Sequence, residues 1–360
     1  MGMNETGEIL TSLQLASSWL LKASSVFTKG GISECYTISE YWKEPSVGVA
    51  GAAVKSLFKL ASFFDSPSFA DKAVVLARWM LPFQLDCGGV SEGRIDEPLV
   101  PCVMQTGWAV SGWIAAYQYT NDESFLCAAI YAGEWICAMQ HGSGAWRSDL
   151  GNDHGGIITA FTSQLAWPLS VLWQLSGMER FKISARKTLD WLLVNRLRNG
   201  WFMYNSLDES ADATLNHIAC CLEGLVYAGI IFGDEKYIMI ADENAKTVMQ
   251  WQRANGEIPQ RFNHSFRPVT PKNTAQSIAQ MVCIWFELAR LTGNSVYCSA
   301  AQKANAYLRS MQITDTSADV IRGSLPFERN ARKYPVEATV RFIDAQLMEL
   351  LNARQKADGQ

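Results

Sequence analysis

The 360-residue sequence lacks the marks of several large functional classes. It contains no HExxH, no CxxC pair and no spaced Cys/His quartet. Cys220 and Cys221 are adjacent on a helix and so point to different faces, and no metal site is expected. Neither a P-loop nor a GxGxxG fingerprint is present, and no cofactor is expected. Basic residues are not in excess: 31 Lys and Arg against 35 Asp and Glu leave a net charge of -4. That balance argues against a nucleic-acid partner, because phosphate binding leans on clustered Lys and Arg.

Long apolar runs are scarce too. The opening MGMNETGEIL has no basic start and no signal-type apolar core, and no stretch approaches a membrane span of about 20 apolar residues, so a cytoplasmic protein without a membrane span is expected. The odd count of 9 cysteines fits, with Cys127, Cys137, Cys220, Cys221 and Cys283 falling on helical core positions rather than in loops. Linkers, low-complexity tracts and charge blocks are also missing. Residues 1–360 are therefore expected to form one domain, although length alone allows two.

What is present is a repeat. A small-polar turn followed by an aromatic recurs at Asp65 to Phe69, Asn121 to Phe125, Ser176 to Phe181, Gly233 to Tyr237 and Gly293 to Tyr297, the aromatics lying 56, 56, 56 and 60 residues apart. Fifteen residues after four of them stands a glutamine, at Gln84, Gln140, Gln252 and Gln312, with Asn195 and Arg196 at the equivalent place in the Phe181 unit. Glycine follows in four units, so each reads as a helix entered at the aromatic and ended near the glycine.

The stretches before each aromatic are helical as well. Gln105 to Tyr119, Thr162 to Leu175, Asn216 to Ile231 and Thr274 to Leu291 carry apolar residues at three- and four-residue spacing with few charges, which makes them inner helices. Their more charged partners are outer ones. Five pairs begin near Val49, Met104, Ile158, Leu215 and Asn273. An outer-type helix at Ile9 to Phe27 and an inner-type helix at Pro335 to Leu351 are left over, and together they make a sixth pair. The expected fold is all-α, an (α/α)6 toroid closed by pairing the two ends of the sequence.

In such a ring the long loops gather on one rim, around the N-termini of the inner helices, and shape a central funnel. They carry Trp42, Trp146, Trp201, Tyr204 and Tyr334 beside planar polar groups, a mixture suited to sugar rings. Arg261, Arg267, Arg322 and Arg329 come from two neighbouring loops and suggest an acidic ligand of uronic type, since a guanidinium meets a carboxylate bidentately. Gln105, Asn216 and Glu337 open inner helices and join the candidate binding set. Glu92, Asp96, Asp153, His154 and His217 are the candidate catalytic groups of the mouth. Asp153-His154 also fits a turn and helix cap, His217 a wall residue, and Trp108, Trp113 and Trp167 the core.

The phrase Gln105-Thr106-Gly107-Trp108 with Gly112, then Thr120-Asn121-Asp122-Glu123-Ser124-Phe125, resembles the six-hairpin glycosidase-like proteins. These include unsaturated glucuronyl and rhamnogalacturonyl hydrolases, sugar 2-epimerases and uncharacterised proteins associated with polysaccharide metabolism. Tyr204-Asn205, His217-Ile218-Ala219 with Gly224, and Ile321-Arg322-Gly323-Ser324 with Pro326 are similar to further phrases of that group. The resemblance implies the toroid and an oligosaccharide ligand. Where the resembling hydrolases place an acidic residue at the start of an inner helix, this chain has Gln105, whose amide cannot act as a general acid.

Three functions fit. A glycoside hydrolase or lyase requires paired mouth carboxylates from among Glu92, Asp96, Asp153 and Glu337. A sugar epimerase or isomerase requires opposed histidines, His154 with His217 or His264. A non-catalytic toroid requires only a pocket of aromatics and arginines.

Overall fold

The structure, a computed structural model, describes residues 3–91, 100–148, 156–207, 212–270 and 274–358. Its helices run α1 (Met3–Ala23), α2 (Val47–Phe64), α3 (Pro67–Met80), α4 (Val103–Thr120), α5 (Glu123–Ala138), α6 (Ala166–Ser176), α7 (Glu179–Val194), α8 (Leu215–Phe232), α9 (Glu235–Met249), α10 (Ala275–Thr292), α11 (Ser295–Arg309) and α12 (Val336–Asp358). Even-numbered helices form an inner ring in which each packs on the next and α12 returns to α2, while α1 lies against α12. The ring is closed, and the fold is an (α/α)6 toroid.

The repeated turn has a simple physical content. Each of five inner helices ends on a residue in the left-handed region, Asp65, Asn121, Gly177, Gly233 or Gly293, with φ between 49° and 69°. The residue that follows caps the outer helix. Asp122 and Asn294 accept the backbone N–H two residues on, at 3.0 and 3.1 Å. Two residues thus reverse the chain. The recurring aromatic is the third residue of the outer helix, and Phe125, Phe181, Tyr237 and Tyr297 are buried.

The glutamines join neighbouring hairpins. Gln140 Nε2 donates to the carbonyls of Gly144 at 2.7 Å and Ser184 at 2.9 Å, tying its own loop to the next outer helix. Gln84 does the same to Gly88 and Ala128, and Gln252 to Gly256 and Ala300. In the exceptional unit the joint is an ion pair from Arg196 to Glu243.

Small antiparallel strands decorate the rim where the long loops lie. β1 (Cys35–Thr37) pairs with both β2 (Tyr41–Trp42) and the distant β7 (Lys333–Pro335), so the first loop is hydrogen-bonded to the sixth. β3 (Trp146–Arg147) pairs with β4 (Ile158–Thr159), and β5 (Ala213–Thr214) with β6 (Arg261–Phe262).

Several expectations need adjustment. The third inner helix begins as a 3-10 turn over Ala160–Leu165, because Pro168 has no N–H to offer the carbonyl of Gln164 and an α-helical ladder cannot run through that point. α1 starts earlier and α12 runs later than the apolar pattern suggests. Cys127 is exposed on α5 and Cys137 half-buried, whereas Cys220, Cys221 and Cys283 are in the core. Val47–Phe64 and Leu215–Phe232 are long and apolar enough to cross a membrane by length and composition, contrary to the expectation that no stretch is. Both are inner helices of the ring, with 67% of each buried.

Candidate functional site

The N-terminal ends of α2, α4, α10 and α12 frame a mouth cavity of about 290 Å³. Its wall includes Gln105 and Trp108 from α4, Gln276 from α10, Glu337 from α12, and Glu34, Glu44, Phe327 and Lys333 from the loops. Close helix packing positions the α4 pair. A Cβ on Gly48 of α2 would fall 1.8 Å from Gln105 Oε1 and 2.4 Å from the Trp108 ring, so only glycine lets these side chains lie across α2. Gln105 Oε1 and Trp108 Nε1 are buried without a hydrogen-bond partner among the described residues.

Three glutamates line this cavity. Glu34 N–H donates to the Glu44 carbonyl at 3.1 Å across the β1–β2 hairpin, and Val336 N–H donates to the Glu34 carbonyl at 3.0 Å, which brings Glu337 alongside. Glu34 and Glu44 are exposed, while the Glu337 side chain keeps 17% of its surface and reaches Arg341 Nε at 3.9 Å. Burial holds the Glu337 carboxyl above the usual carboxylate range, with Arg341 opposing and Glu223 adding to the rise.

Arg341 continues the network inward. Its Nη1 lies 2.9 Å from Glu223 Oε1, and the other Glu223 oxygen accepts from Gln164 Nε2. Beneath Trp108 a water-sized axial cavity of about 30 Å³ is bounded by Gln164, Trp167, Lys55, Arg341 and Asp344. Lys55 Nζ sits 3.8 Å from the centre of the Trp167 ring, which stacks on Tyr227 at 4.0 Å. Burial, reinforced by Lys59 and opposed by Asp344, pushes the Lys55 ammonium down to about 7.

The structure brings only part of the sequence-derived set to this cavity. Gln105 and Glu337 line it together. Glu92, Asp96, Asp153 and His154 lie outside the described residues. His217 is held in the first turn of α8, stacked on Phe161 at 4.5 Å with Nδ1 3.2 Å from the Asn205 carbonyl, and Asn216 beside it is half-buried. Neither lines the mouth cavity. His264 sits on an exposed turn, its carbonyl accepting from Asn199.

The aromatics divide. Trp146 is fully buried, its Nε1 donating to the Ile136 carbonyl at 2.7 Å, and Trp201 is buried edge-on against Phe266, so these two are core residues and not stacking platforms. Trp42 packs between Trp19 and Tyr36, and Tyr334 is buried beneath Tyr36, making an aromatic clasp under the β1–β2–β7 sheet. Tyr204 is 54% exposed in a left-handed conformation at φ 61°. Of the Trp residues read as core, Trp113 is core, but Trp108 and Trp167 face the axis.

The four arginines do not converge. Arg329 donates to Ser310 Oγ and covers the Tyr307 ring, Arg322 is exposed near Asp319, Arg267 is exposed, and Arg261 is half-buried in β6. None lines the mouth cavity, whose described wall holds three carboxylates against one lysine. Among the described residues no group of three or more His, Cys, Asp and Glu is placed to hold a metal ion.

No protein-family model matches the sequence, and no curated protein matches it. Solved structures match over nearly the whole chain. An unsaturated glucuronyl hydrolase specific for heparin superposes with a TM-score of 0.77 at 13% identity, over 98% of each chain. A cellobiose 2-epimerase from Bacillus thermoamylovorans gives 0.80 at 10% identity, over 98% of this chain and 99% of that one. A D-mannose isomerase gives 0.74 at 9% identity, over 96% and 97%. The chain shares the (α/α)6-toroid fold of these structures. These neighbours carry out different reactions, so the chemistry has to be argued from the site.

Proposed function

We propose that this protein processes carbohydrate, binding the end of an oligosaccharide in the mouth cavity and hydrolysing a glycosidic bond there. The observation that carries the reading is that Glu34, Glu44 and Glu337 line one cavity, with the Glu34 backbone bonded to Glu44 and to Val336. Glycoside hydrolysis needs two carboxyl groups in different protonation states, one giving a proton to the leaving oxygen and one acting as base or nucleophile. Glu337, buried and held above the ordinary range, takes the first role. Glu34 and Glu44, exposed on the hairpin, are available for the second.

Trp108 and Phe327 supply apolar faces for the C–H surface of a sugar, and Gln105 and Gln276 supply paired donors and acceptors for hydroxyls. The cavity lies at the small end of ordinary ligand sites, which span about 300 to 1,000 Å³. It therefore suits a terminal sugar better than the middle of a polymer. The excess of carboxylate over cation in its described wall favours a neutral sugar over a uronic one, in place of the acidic ligand suggested by the arginine-rich loops.

The test is product analysis after incubation with matched neutral and uronic oligosaccharides, followed by Glu337→Gln. Neutral substrates should be cleaved, the activity should fall as pH rises and Glu337 ionises, and the variant should lose about 10² to 10⁴ in rate, the usual worth of a general acid. No turnover on any sugar, or a variant within tenfold of the parent, would remove the proposal.

A further inference from the structure

The inner helices open a second cavity, of about 570 Å³, at their C-terminal ends. It lies on the opposite face of the toroid from the mouth. Glu337 and Leu351 of α12, one on each cavity, are fourteen residues apart, or about 20 Å along a helix. Its walls are apolar: Phe58, Phe63, Tyr119, Leu347 and Met348, with Phe58 and Tyr119 stacked at 4.5 Å.

Charge is concentrated at the floor and one side. Lys55, Lys59 and Arg354 face a single carboxylate, Asp344. That carboxylate is already committed, since Asp344 Oδ1 accepts from Lys59 Nζ and from Ser56 Oγ, both at 2.9 Å. Arg354 lies over the Phe63 ring at 4.5 Å. Lys55, deepest of the three, lies against the face of Trp167 and feels Asp344 and Glu223 at a distance, but makes no hydrogen bond or ion pair among the described residues. A desolvated ammonium in that position favours an anion brought in from outside. The carbonyl ends of α2 and α4 oppose an anion, but that field fades within the last helical turn, and Lys55 stands nine residues before the end of α2 at Phe64.

We propose that this opposite face is a second ligand site, taking a carboxylate with an apolar body, its head on Lys55 and its body between Phe58, Tyr119, Leu347 and Met348. It is independent of the sugar-processing reading, because no residue of the mouth cavity lines it. A fatty acid and an aryl carboxylate share this chemistry.

Calorimetric titration of the whole protein with decanoate, 2-naphthoate and the uncharged decanol tests it, at about pH 6 so that Lys55, pushed down to about 7, carries its proton. At least one carboxylate should bind saturably at one per chain, the tighter of the two identifying the body, and decanol should be at least tenfold weaker than decanoate if the linear body is the one preferred. Lys55→Met, which keeps the side-chain volume and removes the charge, should weaken the better carboxylate at least tenfold. Ala115→Leu, which narrows the cavity without touching a charge, should weaken that same ligand as well. Saturable binding of neither carboxylate, or unchanged affinity in Lys55→Met judged folded by circular dichroism, overturns the proposal.

Discussion

Gln312 and Ser12 are bonded twice across 300 residues of chain: Ser12 Oγ donates to Gln312 Oε1 at 2.6 Å, and Gln312 Nε2 donates to the Ser12 carbonyl at 2.9 Å. This is the bridge that Gln84, Gln140 and Gln252 make to the next outer helix. The seam between α11 and α1 therefore has the chemistry of an internal joint.

Gln312→Ala would leave the carbonyls of Ser12 and Gly323 and the Ser12 hydroxyl without their partner. Each buried orphan costs about 1 to 3 kcal/mol, so a total loss of at least about 3 kcal/mol is expected in urea unfolding. The exposed Gln14→Ala should stay within about 0.5 kcal/mol. Equal effects would mean that the seam contributes nothing.

Gly323 sits at φ +94°, and a Cβ there would fall 2.1 Å from the Leu15 carbonyl oxygen. Gly323→Ala should cost at least about 2 kcal/mol, combining a strained conformation with a backbone clash. Gly142→Ala, whose Cβ meets nothing within 4 Å, is the control. The measurement is the thermal midpoint of each variant.

Glu223→Leu removes the partner that Arg341 holds at 2.9 Å and should destabilise by about 3 to 5 kcal/mol. Adding Arg341→Met to Glu223→Leu should recover most of the loss, because two charges then leave together. A double-mutant cycle in guanidinium reads this coupling directly. Strict additivity would show that the pair is not coupled.

Lys55 imposes a pH signature on stability. Its pKa is pushed down to about 7 in the folded chain from the ordinary lysine value of 10.5, so between these the unfolded chain binds the extra proton and folding stability rises with pH. Lys59, Asp344, Arg341 and Glu223 are the charged groups that act on it. Lys55→Met should flatten the rise between about pH 7 and pH 10, as followed by urea midpoints. A parallel profile in the variant would show that Lys55 titrates normally.

The toroid was legible because its signals are local. The left-handed cap at Asn121, the N-cap at Asp122 and the buried Phe125 follow one another in sequence, and counting the units left one helix at each end to be paired. Gln105 and Glu337 were legible for the same reason, as polar residues opening apolar helices. Glu34 and Glu44 were not, since their approach to Glu337 depends on pairing between β1, β2 and β7, which are about three hundred residues apart in the extreme case. Trp146 misled because a loop aromatic reads as exposed until its indole finds a carbonyl. The axial charges did leave a signal: Glu223 is the single charged residue of Leu215–Phe232, and a lone charge in so apolar a helix requires a partner inside.

Closure through Ser12 and Gln312 also orders events during synthesis. A ribosome adds roughly 5 to 20 residues per second, so the 300 residues between the two partners take roughly 15 to 60 s to appear. Until α12 is made, the face of α1 that carries Ile9, Leu13 and Leu20 lacks the cover that α12 gives it, while Trp42 is already available to Trp19. In the folded ring the hairpins between α2 and α11 pack on their sequence neighbours, whereas α1 packs on α12. The helix made first is sealed last, and the nascent chain is most open to wrong partners along that one flank.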